Sequence, residues 1–264
     1  MKTALDKIID YKREEVASLK IKLSASTLHS DALRRTPPRG FAQQMLSIAK
    51  TDENALICEI KRKSPSAGNI NTLKNPILAA QSYVDGGAAC ISVLTDGPSF
   101  GGSLEDMIAV RDAVSIPVLR KDFMIDEIQI LEARAAGADA ILLIMSVLDK
   151  EHALSLHQCA EDLGMSILLE AHNEAELEQA LSLPSPLVGV NNRDLKRMVT
   201  ELETTERLSS MVPTDKLLIS ESGIKTTEDI HRLRKTGARG FLIGESLMKS
   251  EDIVKSVREL RDIK

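Results

Sequence analysis

Strand-length apolar runs alternate with longer amphipathic stretches about eight times, which predicts an α/β chain folded as a (β/α)8 TIM barrel with an N-terminal helical extension. Two further observations favour that fold class over an open sheet. Glycine precedes several of the apolar runs, as in "DGGAACISV", "AAGADAILL" and "TGARGFLIG", where it suits the left-handed position that ends a helix. The length, 264 residues, matches one closed barrel of about 250 residues.

The elements follow in chain order. Ala4 to Leu19 carries Leu5, Ile8, Ile9, Val16 and Leu19 at helical spacing between charges, so an amphipathic helix is expected there. A polar stretch leads to the turn signal "TPPRG" and then to a short helix over "FAQQMLSIAK". Residues 1–50 are thus assigned to a helical extension packed on the barrel and residues 51–264 to the barrel itself, a single domain overall. Strands are expected at "LICEIK", "CISVLT", "PVLRKDF", "AILLIM", "ILLEA", "LVGVNN", "LLISES" and "GFLIGE". Between them, helices are expected at residues 77–85, 104–113, 126–136, 149–163, 174–183 and 227–235, and the C-terminal stretch "MKSEDIVKSVRELRDIK" closes the chain as an amphipathic helix. No G-x-G-x-x-G follows the first strand, which argues against dinucleotide binding.

Composition narrows the function classes. Aromatic residues make up 2% of the chain, leaving too few rings to stack on single-stranded nucleic acid. A net charge of -5 argues against broad affinity for nucleic acid or anionic membranes, yet leaves room for a local cationic cleft. The longest apolar run, "ADAILLIMSVL", is too short to span a bilayer, and the N-terminal stretch lacks the apolar core of a signal peptide. Cys58, Cys90 and Cys159 are widely spaced, as expected of reduced thiols in a cytoplasmic protein. The five histidines show no paired ligand spacing, so no metal site is expected. His172 stands close to Glu170 and is expected to be a solvated loop residue.

In a barrel of this kind the active site lies at the C-terminal strand ends. Those ends carry Glu59 and Lys61, Lys121 and Asp122, Glu170, Asn191 to Arg193, and Glu221 with Ser222. The alternative for any one of these is an ordinary strand-end salt bridge; the agreement of five ends favours a reaction cleft. Glu59 and Lys61 are two apart and so share one face, while Cys58 and Ile60 take the other. Cys58 is then a small hydrophobe packed against the helices. Gly223 after the seventh strand and Gly244 before a final helix mark an anion site between the last two loops, unless both only make tight turns. Glu245 there would offer its backbone N–H and turn its side chain away. Phe100 in "SFGGS" sits in a glycine-rich loop, either covering an aromatic substrate or packing beneath that loop.

"EIKRKSPSAG", "RKDFMID", "LLEAHNEAELE", "GVNNRDL", "ISESGI" and "LIGESLM", in this order, resemble the indole-3-glycerol-phosphate synthase family over Leu56 to about Lys249, and the N-terminal extension also fits it. The resemblance implies a carboxy-lyase of tryptophan biosynthesis that works without a cofactor. It closes the indole ring of 1-(2-carboxyphenylamino)-1-deoxyribulose 5-phosphate with loss of CO2 and water. It also implies roles. Lys121 is the general acid, Glu170 the general base, and Lys61 a second catalytic lysine oriented by Glu59. Asn191 and Glu221 support the chemistry, and Ser64, Phe123, Arg193 and Ser222 contact the substrate. Gly223, Gly244 and the backbone of Glu245 cradle the phosphate. Some family members carry Ser at the position of Glu245, so no side-chain contact is assigned there. The implied partner is one small anion bearing a phosphate and a carboxylate. The chain is expected to be a monomer that associates at most weakly with other tryptophan-pathway enzymes.

Two rival readings are carried forward. Phosphoribosylanthranilate isomerase shares the fold but calls for a Cys at the end of the first strand and an Asp acid. A non-catalytic phosphosugar-binding barrel would keep the glycines and Arg193 without needing Lys121 and Glu170.

Overall fold

The computed structural model describes residues 2–64, 68–70, 75–194 and 199–262, apart from the side chains of Ser64 and Asn69. Eight parallel strands close into a barrel: β1 (Ala55–Ile60), β2 (Cys90–Leu94), β3 (Val118–Lys121), β4 (Ala140–Ile144), β5 (Ser166–Ala171), β6 (Leu187–Asn191), β7 (Leu217–Glu221) and β8 (Gly240–Ile243). Closure is made by β1, whose Ala55 pairs with Gly240 on one side while Ile57 pairs with Cys90 on the other. The expected helices between strands are all present within a few residues of their predicted ends. Gly87, Gly137, Gly164 and Gly237 carry the positive φ that turns a helix end into the next strand.

Strand alternation sorts the side chains into two cores. Leu56, Cys58, Ile91, Ile141, Leu169 and Val188 face outward into the sleeve between strands and helices. Ala55, Ile57, Cys90, Leu119, Ala140, Leu142, Leu168, Leu187, Leu217, Ile219 and Leu242 face inward and fill the barrel. The same parity, continued toward the C-terminal ends, reaches Glu59, Lys61, Lys121, Glu170, Asn191, Glu221 and Gly244. The polar cluster is therefore the uppermost layer of the interior stack. Cys58 lies in the outer sleeve as expected, and burial pushes its thiol well above the usual range.

The first 50 residues clasp the barrel at both ends. Helix α1 (Ala4–Lys22) lies at the mouth, where Leu5 and Ile8 join the cluster containing Phe123. Its buried Lys12 reaches Asp96 at 3.0 Å and Asp122 at 2.8 Å, and Tyr11 Oη donates to Asp96 at 2.8 Å. Helix α3 (Phe41–Ala49) plugs the floor with Phe41 and Met45, both fully buried among the inward residues. Helix α2 (Ala25–Arg34) occupies what the sequence suggested was merely a polar stretch. Its apolar face is only Leu28 and Ala32, too narrow to register as a stripe, and packing with Ile128 of helix Glu127–Ala135 makes up the difference. Arg39 and Asp139 tie the extension to the underside: Asp139 accepts from the Arg39 backbone at 2.7 Å, from the Val118 backbone at 2.8 Å and from Arg111 at 3.1 Å.

If α3 is part of the interior core, Phe41→Ala should cost about 3–5 kcal/mol, the range for emptying a buried aromatic site. Urea denaturation reads this directly, and a loss below about 1 kcal/mol would place α3 outside the cooperative core.

Candidate active site

The strand ends open into a cavity of about 450 Å³ whose walls differ from side to side. Phe100, Phe123, Leu94 and Leu142 line the flank formed by β2 to β4, with the Phe100 and Phe123 rings 6.2 Å apart. Across the barrel, Arg193, Ser222, Gly223, Lys225, Gly244 and Lys249 line the flank formed by β6 to β8. The layout matches a ligand with an apolar or aromatic end and an anionic end.

Between the flanks sits Lys121. Its Nζ lies 3.2 Å from Glu170 Oε2, 3.4 Å from Glu221 Oε2 and 4.0 Å from Glu59 Oε2. Glu59 also accepts from Lys61 Nζ at 2.8 Å, so the first-strand pair foreseen from two-residue spacing does form. All three carboxylates are buried. Burial alone would strip the charge from Lys121, but Glu170, Glu221 and Glu59 together outweigh it and hold the ammonium above its ordinary range. Glu59 is likewise penalised by burial yet kept below the usual carboxylate range by Lys61 and Lys121.

Glu170 and Glu221 divide one proton unequally. Glu221 is desolvated and faces Glu170, which pushes its carboxyl up to about 8. Glu170 feels the same desolvation but has Lys121 and His172 against it, and ends well below the usual range. Glu221 is therefore the protonated member of the pair at neutral pH and Glu170 the ionised one. Room for Glu221 comes from Gly189, where a Cβ would lie 2.1 Å from Glu221 Oε1. Gly189 escaped the sequence reading, although it stands two residues before Asn191 on the inward face.

The cationic flank includes left-handed backbone. Ser222 and Gly223 both take left-handed φ, 66° and 82°, and Ser222 is the one non-glycine among the described residues to do so. Asn192 braces the turn: its Nδ2 donates to the Ser222 carbonyl and to Ser220 Oγ, each at 3.0 Å, while its Oδ1 accepts from Thr205. Asn192 lies within the polar strand end Asn191 to Arg193 expected from the sequence, where roles are implied for Asn191 and Arg193 alone. Asn191 Oδ1 accepts from the Arg193 backbone at 3.0 Å, and Arg193 Nε donates to Thr200 at 3.3 Å. At Gly244 a Cβ would fall 2.6 Å from Glu59 Oε1, so close approach of backbone to the charged layer requires glycine. Glu245 bonds Lys249 at 2.7 Å, along its own helix. Ser64 pairs antiparallel by backbone with Gly68, and its side chain lies outside the described residues.

His172 departs from expectation. It is not solvated: its Nε2 lies 3.3 Å from Glu170 Oε1 and its Nδ1 2.9 Å from Glu176 Oε2. Burial would favour the neutral ring, but the two carboxylates reverse that and raise it to about 10.

A closed parallel barrel with an acid–base cluster at its mouth and a cationic flank defines an enzyme of the (β/α)8 class. The chain belongs to the indole-3-glycerol phosphate synthase family, whose model matches residues 5–260. It is 63% identical to the indole-3-glycerol phosphate synthase of Hyphomonas neptunium over 94% of each chain. It is 49% identical to that of Rhodospirillum rubrum over 98% of this chain and 99% of the relative. Among solved structures it resembles a thiamine phosphate pyrophosphorylase from Pyrococcus furiosus at TM-score 0.58, covering 83% of this chain and 95% of that one; at 16% identity this is a likeness of fold alone. No helix among the described residues is long and apolar enough to cross a membrane.

Glu221 generates a pH prediction. Its folded value is raised from 4.5 to about 8, so across that interval the native state holds a proton that the unfolded chain has released. Stability contributed by that proton is present at low pH and is lost as pH rises through the folded value. Glu221→Gln should therefore flatten the decline of the urea midpoint between about pH 5 and 8 relative to wild type. An unchanged slope would mean that Glu221 is ionised throughout.

Proposed function

We propose that the chain catalyses the closure of 1-(2-carboxyphenylamino)-1-deoxyribulose 5-phosphate to indole-3-glycerol phosphate, CO2 and water, a step of tryptophan biosynthesis. The observation that carries this reading is Lys121, a half-buried ammonium 3.2 Å from a buried, ionised Glu170 at the mouth of a barrel of this family. The relatives' names supply the reaction, and the geometry supports the division of labour.

The substrate phosphate sits at the flank where Arg193, Gly223, Gly244 and Glu245 line the cavity, with backbone N–H groups and the Arg193 guanidinium as its donors. Its aromatic ring lies toward Phe123. Lys121 donates a proton to the ketose oxygen as the ring carbon attacks the carbonyl carbon, turning that oxygen into a hydroxyl. Loss of the carboxylate as CO2 leaves its bonding pair to restore the aromatic ring. The new hydroxyl then departs as water, with Lys61 as proton donor and Glu170 removing the proton whose loss forms the indole double bond. Glu59 holds Lys61 in place through its hydrogen bond, and Asn191, Glu221, Ser222 and Ser64 hold the substrate in register. No cofactor or metal enters these steps. Residues 1–50 act with the barrel as one domain, because Lys12 reaches the residue next to Lys121.

The isomerase reading loses ground on one observation: the cysteine of the first strand, Cys58, faces the outer sleeve and not the cavity. The scaffold reading leaves a desolvated lysine among three carboxylates without a task.

Turnover followed by indole absorbance tests the proposal. Lys121→Ala and Glu170→Gln should each lower kcat by about a hundredfold or more while retaining substrate binding by calorimetry and a native circular dichroism spectrum. Near-normal rates in both variants would overturn the assigned roles. A wild type that binds the substrate and never converts it would favour the scaffold.

A further inference from the structure

Glu170 is held on two sides, and only one of them faces the cavity. Oε2 meets Lys121. Oε1 lies 3.3 Å from His172 Nε2, and Nδ1 of the same ring lies 2.9 Å from Glu176 Oε2. Nδ1 is hydrogen-bonded to Glu176, whereas Nε2 makes no hydrogen bond and meets Glu170 only at ion-pair distance; with a carboxylate oxygen beside each nitrogen, the charge around the ring is matched by its imidazolium form. Glu176 is itself fixed as an acceptor. It receives the His172 backbone N–H at 2.8 Å and Asn173 Nδ2 at 2.6 Å, and its own backbone N–H donates to Asn173 Oδ1 at the cap of helix Glu174–Leu181. The His172 side chain is 10% exposed.

We propose that His172 is a positioning residue for the reaction: backed by Glu176, its imidazolium fixes the orientation of Glu170 and keeps that carboxylate ionised as the base. This rests on the reading of Glu170 given above.

The charged groups acting on the ring are Glu170 on its own strand and Glu176 on the following helix. The 3-10 turn Met145–Val147, which packs against this strand end, carries no charge. Lys121 and Glu221 act on Glu170 itself from β3 and β7. The arrangement alternates in sign from the cavity outward: Lys121, Glu170, His172, Glu176. Losing the third member removes a cation from Glu170, raises its proton affinity and frees its Oε1 to rotate. A ring that merely filled space would affect neither.

The test compares pH–rate profiles of wild type, His172→Ala, His172→Gln and Glu176→Gln. His172→Ala should lower kcat roughly tenfold with KM within about twofold, and should move the acidic limb of kcat upward by about one pH unit. His172→Gln, which keeps a polar side chain beside Glu170 without the charge, should recover part of kcat without returning the limb to its place. Glu176→Gln should shift the limb in the same direction by less. A folded His172→Ala enzyme with an unmoved limb would overturn the proposal. The imidazole nitrogen spectrum of wild type decides the matter should that variant fail to fold. Both His172 nitrogens are expected to be protonated at about pH 8, well above the ordinary histidine range; a neutral ring there would overturn the relay whether or not the protein turns over the substrate. A wild type without turnover would instead overturn the functional reading.

Discussion

The interaction on which the site depends is the Lys121 ammonium set among three buried carboxylates. Each of these charges taken alone would cost several kcal/mol to desolvate, and removing one partner of such a set typically costs about 3–5 kcal/mol. The layer survives because the signs balance. Glu59, Glu170 and Glu176 are held ionised by the cations beside them, among them Lys121 and His172, while Glu221 keeps its proton. A fourth ionised carboxylate would upset that balance, and desolvation together with the Glu170 charge prevents it. The same arithmetic prepares both halves of acid–base work, a fully charged donor beside a fully ionised acceptor.

The fold places this layer by simple parity. Inward residues below it are Ala, Ile, Leu and Cys, and two residues further along each strand the apolar stack gives way to charge. Low dielectric beneath and around the cluster is what makes each ion pair matter. The extension secures the ends of the stack, with Phe41 and Met45 sealing the floor and Lys12 bridging Asp96 and Asp122 at the rim. Asp122 follows Lys121 directly, so the strap at the rim and the acid share one stretch of backbone. Ordering that rim from both sides limits the motions available to the donor.

Most of the barrel and the central cluster were legible in the sequence because strand parity is a local rule. Glu59 and Lys61 announce a shared face by their spacing, and the glycine-terminated helices announce the repeated unit. Helix α2 was not legible, since its two buried residues form no stripe and its place is set by a partner about a hundred residues away. His172 was misjudged for a related reason. Whether a histidine after a strand is solvated or pinned depends on what the next helix presents to it, here Glu176. Asn192 and Gly189 act through Ser222 and Glu221, which adjoin them only once β6 and β7 pair. The family's motifs identify the residues that meet the substrate; the residues that hold those residues in place become visible only in three dimensions.

A crystal structure with an unreactive substrate analogue, its ketose carbonyl reduced to the alcohol, tests the central claim most directly. That claim predicts the former carbonyl oxygen within hydrogen-bond distance of Lys121 Nζ, the phosphate on the backbone of Gly223 and Gly244, and Lys121 still paired with Glu170. An analogue bound with its phosphate at the Phe123 flank, or with that oxygen beyond the reach of Lys121, would contradict it.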